Sequence, residues 1–391
     1  MPAWMDDDLE ERRRRGLYRV RRRLQSGPGA RVLVRGRELI NFASNDYLAL
    51  AGDPRLARAA ARAARRYGCG AGASALVSGH LPPLRKLERT LAEWENAEAA
   101  LVFSSGYAAN LAVISSLAGR EDAVFSDARN HASLIDGCRL SRAAVHVYRH
   151  NDLPHLADLL RSEGVRARRR LIVSDTVFSM DGDLAPLTGL LELAERFNCI
   201  LLIDEAHATG VLGEHGRGVT DLLTPGSWSW DRVLKVGTLS KALGSQGGFV
   251  CGSRQSIAFL VNHARPYIFS TALASPVAAA ARQALAVIQS EPERRRHVLT
   301  LAALLRQELR ELGGAVGDSH CQIVPLIVGE ARAAVALSRR LEEHGLLVPA
   351  IRPPSVAEGT ARLRLSVTAG HTEEDITQLV TALRSNIPLR I

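Results

Sequence analysis

From residue 99 to residue 252 the chain alternates between two kinds of segment. Short apolar runs at 99–103, 122–126, 145–148, 171–175, 199–204, 233–237 and 248–252 carry few polar residues. Such runs predict strands covered on both faces. Just before them at 84–95, and between them at 106–117, 131–140, 153–163 and 187–197, apolar positions recur at helical spacing. Strands joined through helical crossovers predict an α/β domain built on a large, mainly parallel, seven-stranded sheet. Ligands of such sheets bind at the carboxyl ends of the strands, so polar residues at those ends carry the most information.

The pattern differs on either side. Residues up to about 23 form a charged arm with Arg12 to Arg15, Arg19 and Arg21 to Arg23, and runs at 32–34 and 38–40 flank Arg35-Gly36-Arg37 as a hairpin. Beyond 272 the helical segments lengthen, at 274–289 and 294–312, and short strands (323–328, 346–351, 361–366) then alternate with helices (333–344, 372–385). The expected organisation is an arm and hairpin over 1–50, a large ligand-binding domain over 51–272 and a smaller C-terminal α/β domain over 273–391. No internal repeat or low-complexity linker interrupts it.

Composition narrows the function. With 391 residues, 46% hydrophobic and 23% charged, the chain has the balance of a globular protein with a full core. Its net charge of +9 invites a nucleic-acid reading. Outside the arm, however, the arginines are spread and interleaved with acids, which argues against nucleic-acid binding. The five cysteines, Cys69, Cys138, Cys199, Cys251 and Cys321, are far apart and never in a C-x-x-C pair, so neither a disulfide framework nor a metal site is expected. The most apolar helical stretch, 272–288, is broken by Pro276, Arg282 and Gln283. No membrane association follows from it, and a reduced cytoplasm is the expected compartment.

The chemistry collects around one residue type. Lysine occurs only at Lys86, Lys235 and Lys241, although Lys and Arg together number 50. Arginine serves wherever a permanent charge suffices, whereas a lysine amine can lose its proton and condense with an aldehyde. Lys241 stands in a Gly-rich turn between two apolar runs. The other polar residues fall at strand ends: Asp204 with His207 three residues on, Asp175 before the loop 177–183, and His131 at the start of a helix. Ser104-Ser-Gly-Tyr-Ala-Ala-Asn110 joins a strand to a helix, where backbone N–H groups can bind phosphate. A phosphate cradle, a histidine able to stack, a strand-end acid and a turn lysine together describe a pyridoxal 5′-phosphate site. Asp204-Glu-Ala-His207 also spells a helicase motif, but no Gly-Lys pair exists to cradle ATP. Gly68-Cys-Gly-Ala-Gly72 lacks a dinucleotide-loop spacing and reads as a place of close backbone approach.

At this point the chain resembles the α-oxoamine synthase family of fold-type I, aspartate-aminotransferase-like pyridoxal-phosphate enzymes, from about residue 19 to about residue 383. The resemblance rests on Phe42-Ala-Ser-Asn-Asp-Tyr-Leu48, Asp127-Ala-Arg-Asn-His131, Phe178-Ser-Met-Asp-Gly-Asp183, Asp204-Glu-Ala-His-Ala-Thr-Gly210 and Thr238-Leu-Ser-Lys241. It implies that Lys241 bonds the cofactor aldehyde, Asp204 pairs with the pyridine nitrogen and His131 stacks on the ring. It further implies that His207 and Ser179 lie near the phenolic oxygen, with Thr238, Gly106 and Tyr107 on the phosphate side. Arg19, Asn45, Arg352 and Ser355 match positions near the substrates, Arg352 as a carboxylate clamp. Ala350-Ile-Arg-Pro-Pro-Ser-Val356 with Gly359-Thr-Ala-Arg-Leu-Arg-Leu365 is most similar to the branch that condenses L-alanine with a pimeloyl thioester, on coenzyme A or acyl carrier protein. Relatives that pair glycine with acetyl- or succinyl-CoA, or serine with palmitoyl-CoA, are the alternatives. The family implies a homodimer with the site at its interface and Thr271 reaching the neighbour's cofactor phosphate. Lys235 receives no role.

Overall fold

The structure, a computed structural model, describes residues 3–224 and 226–386. Its strands in chain order are β1 (Arg31–Val34), β2 (Arg37–Asn41), β3 (Ala99–Phe103), β4 (Ala123–Asp127), β5 (Ala144–Tyr148), β6 (Arg170–Asp175), β7 (Ile200–Asp204), β8 (Val233–Thr238), β9 (Gly248–Gly252), β10 (Ile323–Gly329), β11 (Leu346–Leu347), β12 (Ala350–Ile351) and β13 (Ala361–Ser366). Contacts divide the chain into two compact units. One comprises residues 50–178 and 184–295, the other residues 3–49, 179–183 and 296–386.

The first unit holds the seven-stranded sheet, in the order β3-β9-β8-β7-β6-β4-β5. Pairs β4–β5, β4–β6, β6–β7 and β7–β8 are parallel, because a helix or long loop carries the chain back between them. Strand β9 is antiparallel to β8 and β3. The chain between β8 and β9 is a tight turn, too short for a crossover, so it must reverse, and that turn carries Lys241. Strands β4, β8 and β9 are buried along their whole length, whereas β5, whose Val-His-Val-Tyr run alternates, is a largely exposed edge. The β6–β7 register sets Asp175 directly beside Asp204, so two acids share one end of the sheet.

Helix Ser275–Ser290, which the sequence pattern groups with the C-terminal region, packs on helices Pro54–Tyr67 and Pro82–Glu95 of this unit. Its buried face is lined by Ala278, Ala281 and Ala284, whose small side chains permit close helix approach. The glycines at 68, 70 and 72 are not at a close approach, contrary to expectation: no other atom lies within 4 Å of a Cβ built on any of them. Gly68 and Gly72 are there for their left-handed backbone, with φ +81° and +76°.

In the second unit β1 and β2 form the expected hairpin, extended by β11 in parallel, and β10-β13-β12 form a small antiparallel sheet. The single strand expected over 346–351 is instead two, pairing in different sheets. Pro349 lies between them and has no N–H to give a ladder, so the chain changes sheets there.

Phe42 is fully buried in this core and stacks on His371, ring centroids 4.4 Å apart. Nδ1 of His371 accepts from the Thr368 N–H at 3.0 Å. Burial lowers the His371 pKa from 6.5 to about 4, so the folded state resists a proton that the unfolded chain takes up. Stability is therefore full above about pH 6.5 and is lost as pH falls towards 4, by about 3 kcal/mol from this group. Denaturant unfolding at pH 7.5 and 4.5 is expected to show the drop in the wild type and a smaller one in His371→Leu.

Candidate active site

The lysine turn is closed by backbone hydrogen bonds from Leu239 N to Gly247 O and from Gly244 N to Lys241 O, both 2.9 Å. Gly244 has φ +58°, and a Cβ there would lie 2.4 Å from the Ala51 nitrogen, so only glycine fits. The turn presents Lys241 half-buried, its Nζ 2.9 Å from Nε2 of His207. His207 is buried in the turn that follows β7.

Asp204, at the end of β7, is buried and surrounded by donors. Its Oδ1 accepts from the Ala206 N–H at 2.8 Å and its Oδ2 from Asn110 Nδ2 at 2.6 Å. Neighbouring Asp175 accepts from the His131 N–H at 2.7 Å. Burial first, then the charge of Asp204, push Asp175 well above the usual carboxylate range.

His131 caps helix Ala132–Ser141, its Nδ1 accepting from the Ser133 N–H at 3.2 Å and lying 2.7 Å from the Ser133 hydroxyl. The surrounding protein, together with nearby Lys241, outweighs the attraction of Asp204 and lowers its pKa, and the positive end of the helix acts in the same direction. The imidazole is therefore neutral at pH 7.

Opposite these groups, helix Gly106–Leu117 begins at Ser105, whose hydroxyl accepts from the Ala108 N–H at 3.0 Å. The first N–H groups of a helix have no intrahelical partner and form an anion-binding end. A Cβ on Gly248 would come within 2.4 Å of the Gly106 nitrogen, so the β9 glycine is what lets this helix start against the sheet. Thr238 is buried nearby: its Oγ1 lies 3.5 Å from where a Cβ on Gly106 would be and donates to Gly247 O at 3.0 Å. Tyr107 is largely exposed and its hydroxyl donates to Asp136, and Thr271 is exposed.

Arg19, Asn45, Ser179, Arg352 and Ser355 belong to the second unit. Arg364, whose role no local pattern reveals, ties two of them together: its Nε donates to Ser179 O at 2.6 Å and its Nη1 to Asn45 Oδ1 at 3.0 Å. Arg362, two residues earlier on β13, bonds Asp181 in the same segment. Arginines at alternate positions of an apolar strand lie on one face of it, and that spacing is the signal that they meet polar partners on the same side. Arg352 is half-buried and donates from Nη2 to Tyr18 O at 2.8 Å, while its Nε is buried with no partner among the described residues. Burial lowers its pKa, and the nearby charges of Arg19 and Arg339 add to that. An incoming anion would relieve both.

Lys235, by contrast, points into the core. Fully buried, its Nζ meets Glu95 Oε2 at 2.6 Å, Thr220 Oγ1 at 2.9 Å and the Arg217 carbonyl. Burial pushes Glu95 up to about 7. For the lysine, burial alone would lower the pKa, and Glu95 and Glu205 more than offset it. Lys235→Met leaves a carboxylate buried and unpaired and is expected to cost about 3–5 kcal/mol in denaturant unfolding. Adding Glu95→Leu should recover much of it, a double-mutant cycle that checks the pair.

The family described as aminotransferase class I and II matches residues 37–383 of this chain, a span that holds the strand-end acid, the histidine and the turn lysine. The 8-amino-7-oxononanoate synthase of Anaeromyxobacter dehalogenans (strain 2CP-1 / ATCC BAA-258) is 48% identical over 386 residues, 98% of this chain and 96% of its own. The chain belongs to that family. Two solved structures are similar. One is a variant serine palmitoyltransferase from S. paucimobilis with a bound PLP–myriocin aldimine (TM-score 0.91, 29% identity, 98% of this chain and 96% of that one). The other is the 8-amino-7-oxononanoate synthase of Francisella tularensis (TM-score 0.77, 28% identity, 89% and 97%). No helix among the described residues is long and apolar enough to cross a membrane.

Proposed function

We propose that this chain uses pyridoxal 5′-phosphate to condense L-alanine with a pimeloyl thioester, releasing carbon dioxide and the thiol carrier and giving 8-amino-7-oxononanoate for biotin synthesis. The observation that carries the reading is the convergence on one end of the sheet of a lysine amine, a buried acid already surrounded by donors and a neutral histidine. The residues fit the cofactor: the Gly106 helix start, opened by Gly248, with Thr238 beside it, suits a phosphate, and Asp204 has acceptor capacity left for a protonated ring nitrogen. When bound, the cofactor supplies an electron sink that makes the alanine Cα–H acidic enough to lose its proton.

The chain's own residues do the rest. Lys241 would hold the cofactor through its aldehyde, and its Nζ would be the base for the Cα proton. His207, 2.9 Å from that nitrogen, orients the amine. Asp204 would pair with the ring nitrogen and favour its protonated form, and neutral His131 would lie against the ring with its Nε2 proton available to an oxyanion. Ser179, by resemblance, contacts the phenolic oxygen, and Tyr107 belongs to the phosphate side. Arg352 is the proposed clamp on the alanine carboxylate, supported by its unpartnered Nε, with Arg19, Asn45 and Ser355 near the substrates.

A homodimer is part of the proposal, with Thr271 reaching the neighbour's phosphate. It is supported by the strongly exposed Phe269 and Val77, at 70% and 79%, on segments joined by the Ala272 N to Ala73 O bond. The five free cysteines fit a reducing cytoplasm.

Steady-state assays pairing alanine, glycine or serine with pimeloyl, acetyl, succinyl and palmitoyl thioesters, on coenzyme A and on acyl carrier protein, test the reading. Alanine with pimeloyl is expected to give the highest kcat/KM. Preference for glycine with acetyl-CoA would replace it with the related glycine acyltransferase activity.

A further inference from the structure

Helix Gly106–Leu117 is apolar on its buried side with one exception. Asn110 is 1% exposed, and its single amide nitrogen makes two hydrogen bonds: to Asp204 Oδ2 at 2.6 Å and to Ser133 Oγ at 2.8 Å. The two hydrogens of that nitrogen are thereby both used. The amide cannot be turned round, because its oxygen would then face a carboxylate that only accepts. As oriented, Asn110 Oδ1 is buried with no hydrogen-bond partner among the described residues. A buried acceptor left unpaired marks a position selected for what its other end does.

The chain of bonds continues in a fixed direction. Since Ser133 Oγ accepts from Asn110, its own proton is free to go to His131 Nδ1, 2.7 Å away. The Ser133 N–H also points at that nitrogen. With two donors directed at it, Nδ1 carries no proton, and the ring's one hydrogen is on Nε2.

We propose that Asn110 is a positioning residue that couples the two cofactor-facing groups: by donating to Asp204 and Ser133 at once it orients the Asp204 carboxylate and, through Ser133, fixes His131 as the Nε2–H tautomer. This deepens the proposed function, on which the cofactor-facing roles of Asp204 and His131 rest. Neither Asn110 nor Ser133 needs to touch cofactor or substrate. The two branches are separable: Ser133→Ala removes the hydroxyl donor to His131 and leaves only the weaker backbone N–H at 3.2 Å, whereas Asn110→Ala also removes the bond to Asp204.

The test uses the holoenzyme labelled with 15N-histidine, with His131 assigned by its loss in His131→Gln, and a titration of cofactor binding by fluorescence. In the wild type, long-range 1H–15N correlations at pH 7.5 should show His131 protonated on Nε2 and accepting at Nδ1. Ser133→Ala should mix the tautomers while changing the cofactor Kd by no more than about twofold. Asn110→Ala should mix them too and raise the Kd about tenfold, the scale of one hydrogen bond to a charged group. Asn110→Leu, of nearly the same shape and unable to donate, should raise it at least as far, which keeps the test open if the alanine variant does not fold. A wild-type His131 protonated on Nδ1 or on both nitrogens overturns the proposal. So does an Asn110→Ala protein that melts at a lower temperature with tautomer and Kd unchanged, the signature of a merely structural amide. The NMR readout does not depend on turnover, so failure of the assigned reaction and failure of this coupling are told apart.

Discussion

Lys241→Ala is expected to bind cofactor without bonding it: borohydride reduction followed by digestion finds no modified peptide, and amino-ketone formation falls by at least about 10⁴-fold. Removing the amine removes both the group that bonds the aldehyde and the base positioned for the Cα proton. Lys241→Arg should be as inactive. A guanidinium keeps the charge but cannot be deprotonated, so it can neither condense nor accept a proton. Residual wild-type turnover in either variant would mean that the amine next to His207 is not the reactive one.

Asp204→Asn ranks second. The side chain keeps its shape but turns from a carboxylate with donors on both oxygens into an amide that can accept at only one atom. The contact from Asn110, now 2.6 Å, then meets either a weaker acceptor or another N–H. The expected outcome is a protein that still gives a borohydride-fixed lysine, with kcat lower by about 10²–10³-fold, the usual cost of losing a preorganised electrostatic partner. Exchange of the alanine Cα proton into deuterated water, without acyl thioester, should slow by a similar factor. If exchange stays fast while condensation stops, Asp204 acts on a later step than proton removal.

How far the chain could be read as a sequence depended on whether its partners were local. Strand ends were legible because an acid after an apolar run, as in Ile-Leu-Leu-Ile-Asp204, is a local signal, and so was a lysine kept among arginines. Asn110 lies in the helix that follows β3, yet nothing in the sequence separates a helix asparagine facing solvent from one bonded to Asp204, 94 positions away. The pair Lys235–Glu95 spans 140 positions, which is why the lysine had no evident role. Arg364 was visible only as part of a motif, since its targets, Asn45 and Ser179, come from two separate stretches brought together by the small sheet. The break at Pro349 was different: the signal was present in the sequence, and the apolar run around it outweighed it.

The burial of Lys235 also shapes how the intact molecule can be handled. Of its lysine amines, one is sealed in the core, one is half-covered beside His207 and only that of Lys86 is freely exposed. Among the lysines of the folded protein, a mild amine-directed dye should therefore mark Lys86 first. Slower labelling of Lys241 would report how often the amine beside His207 is reached, and labelling of Lys235 would report opening of the core.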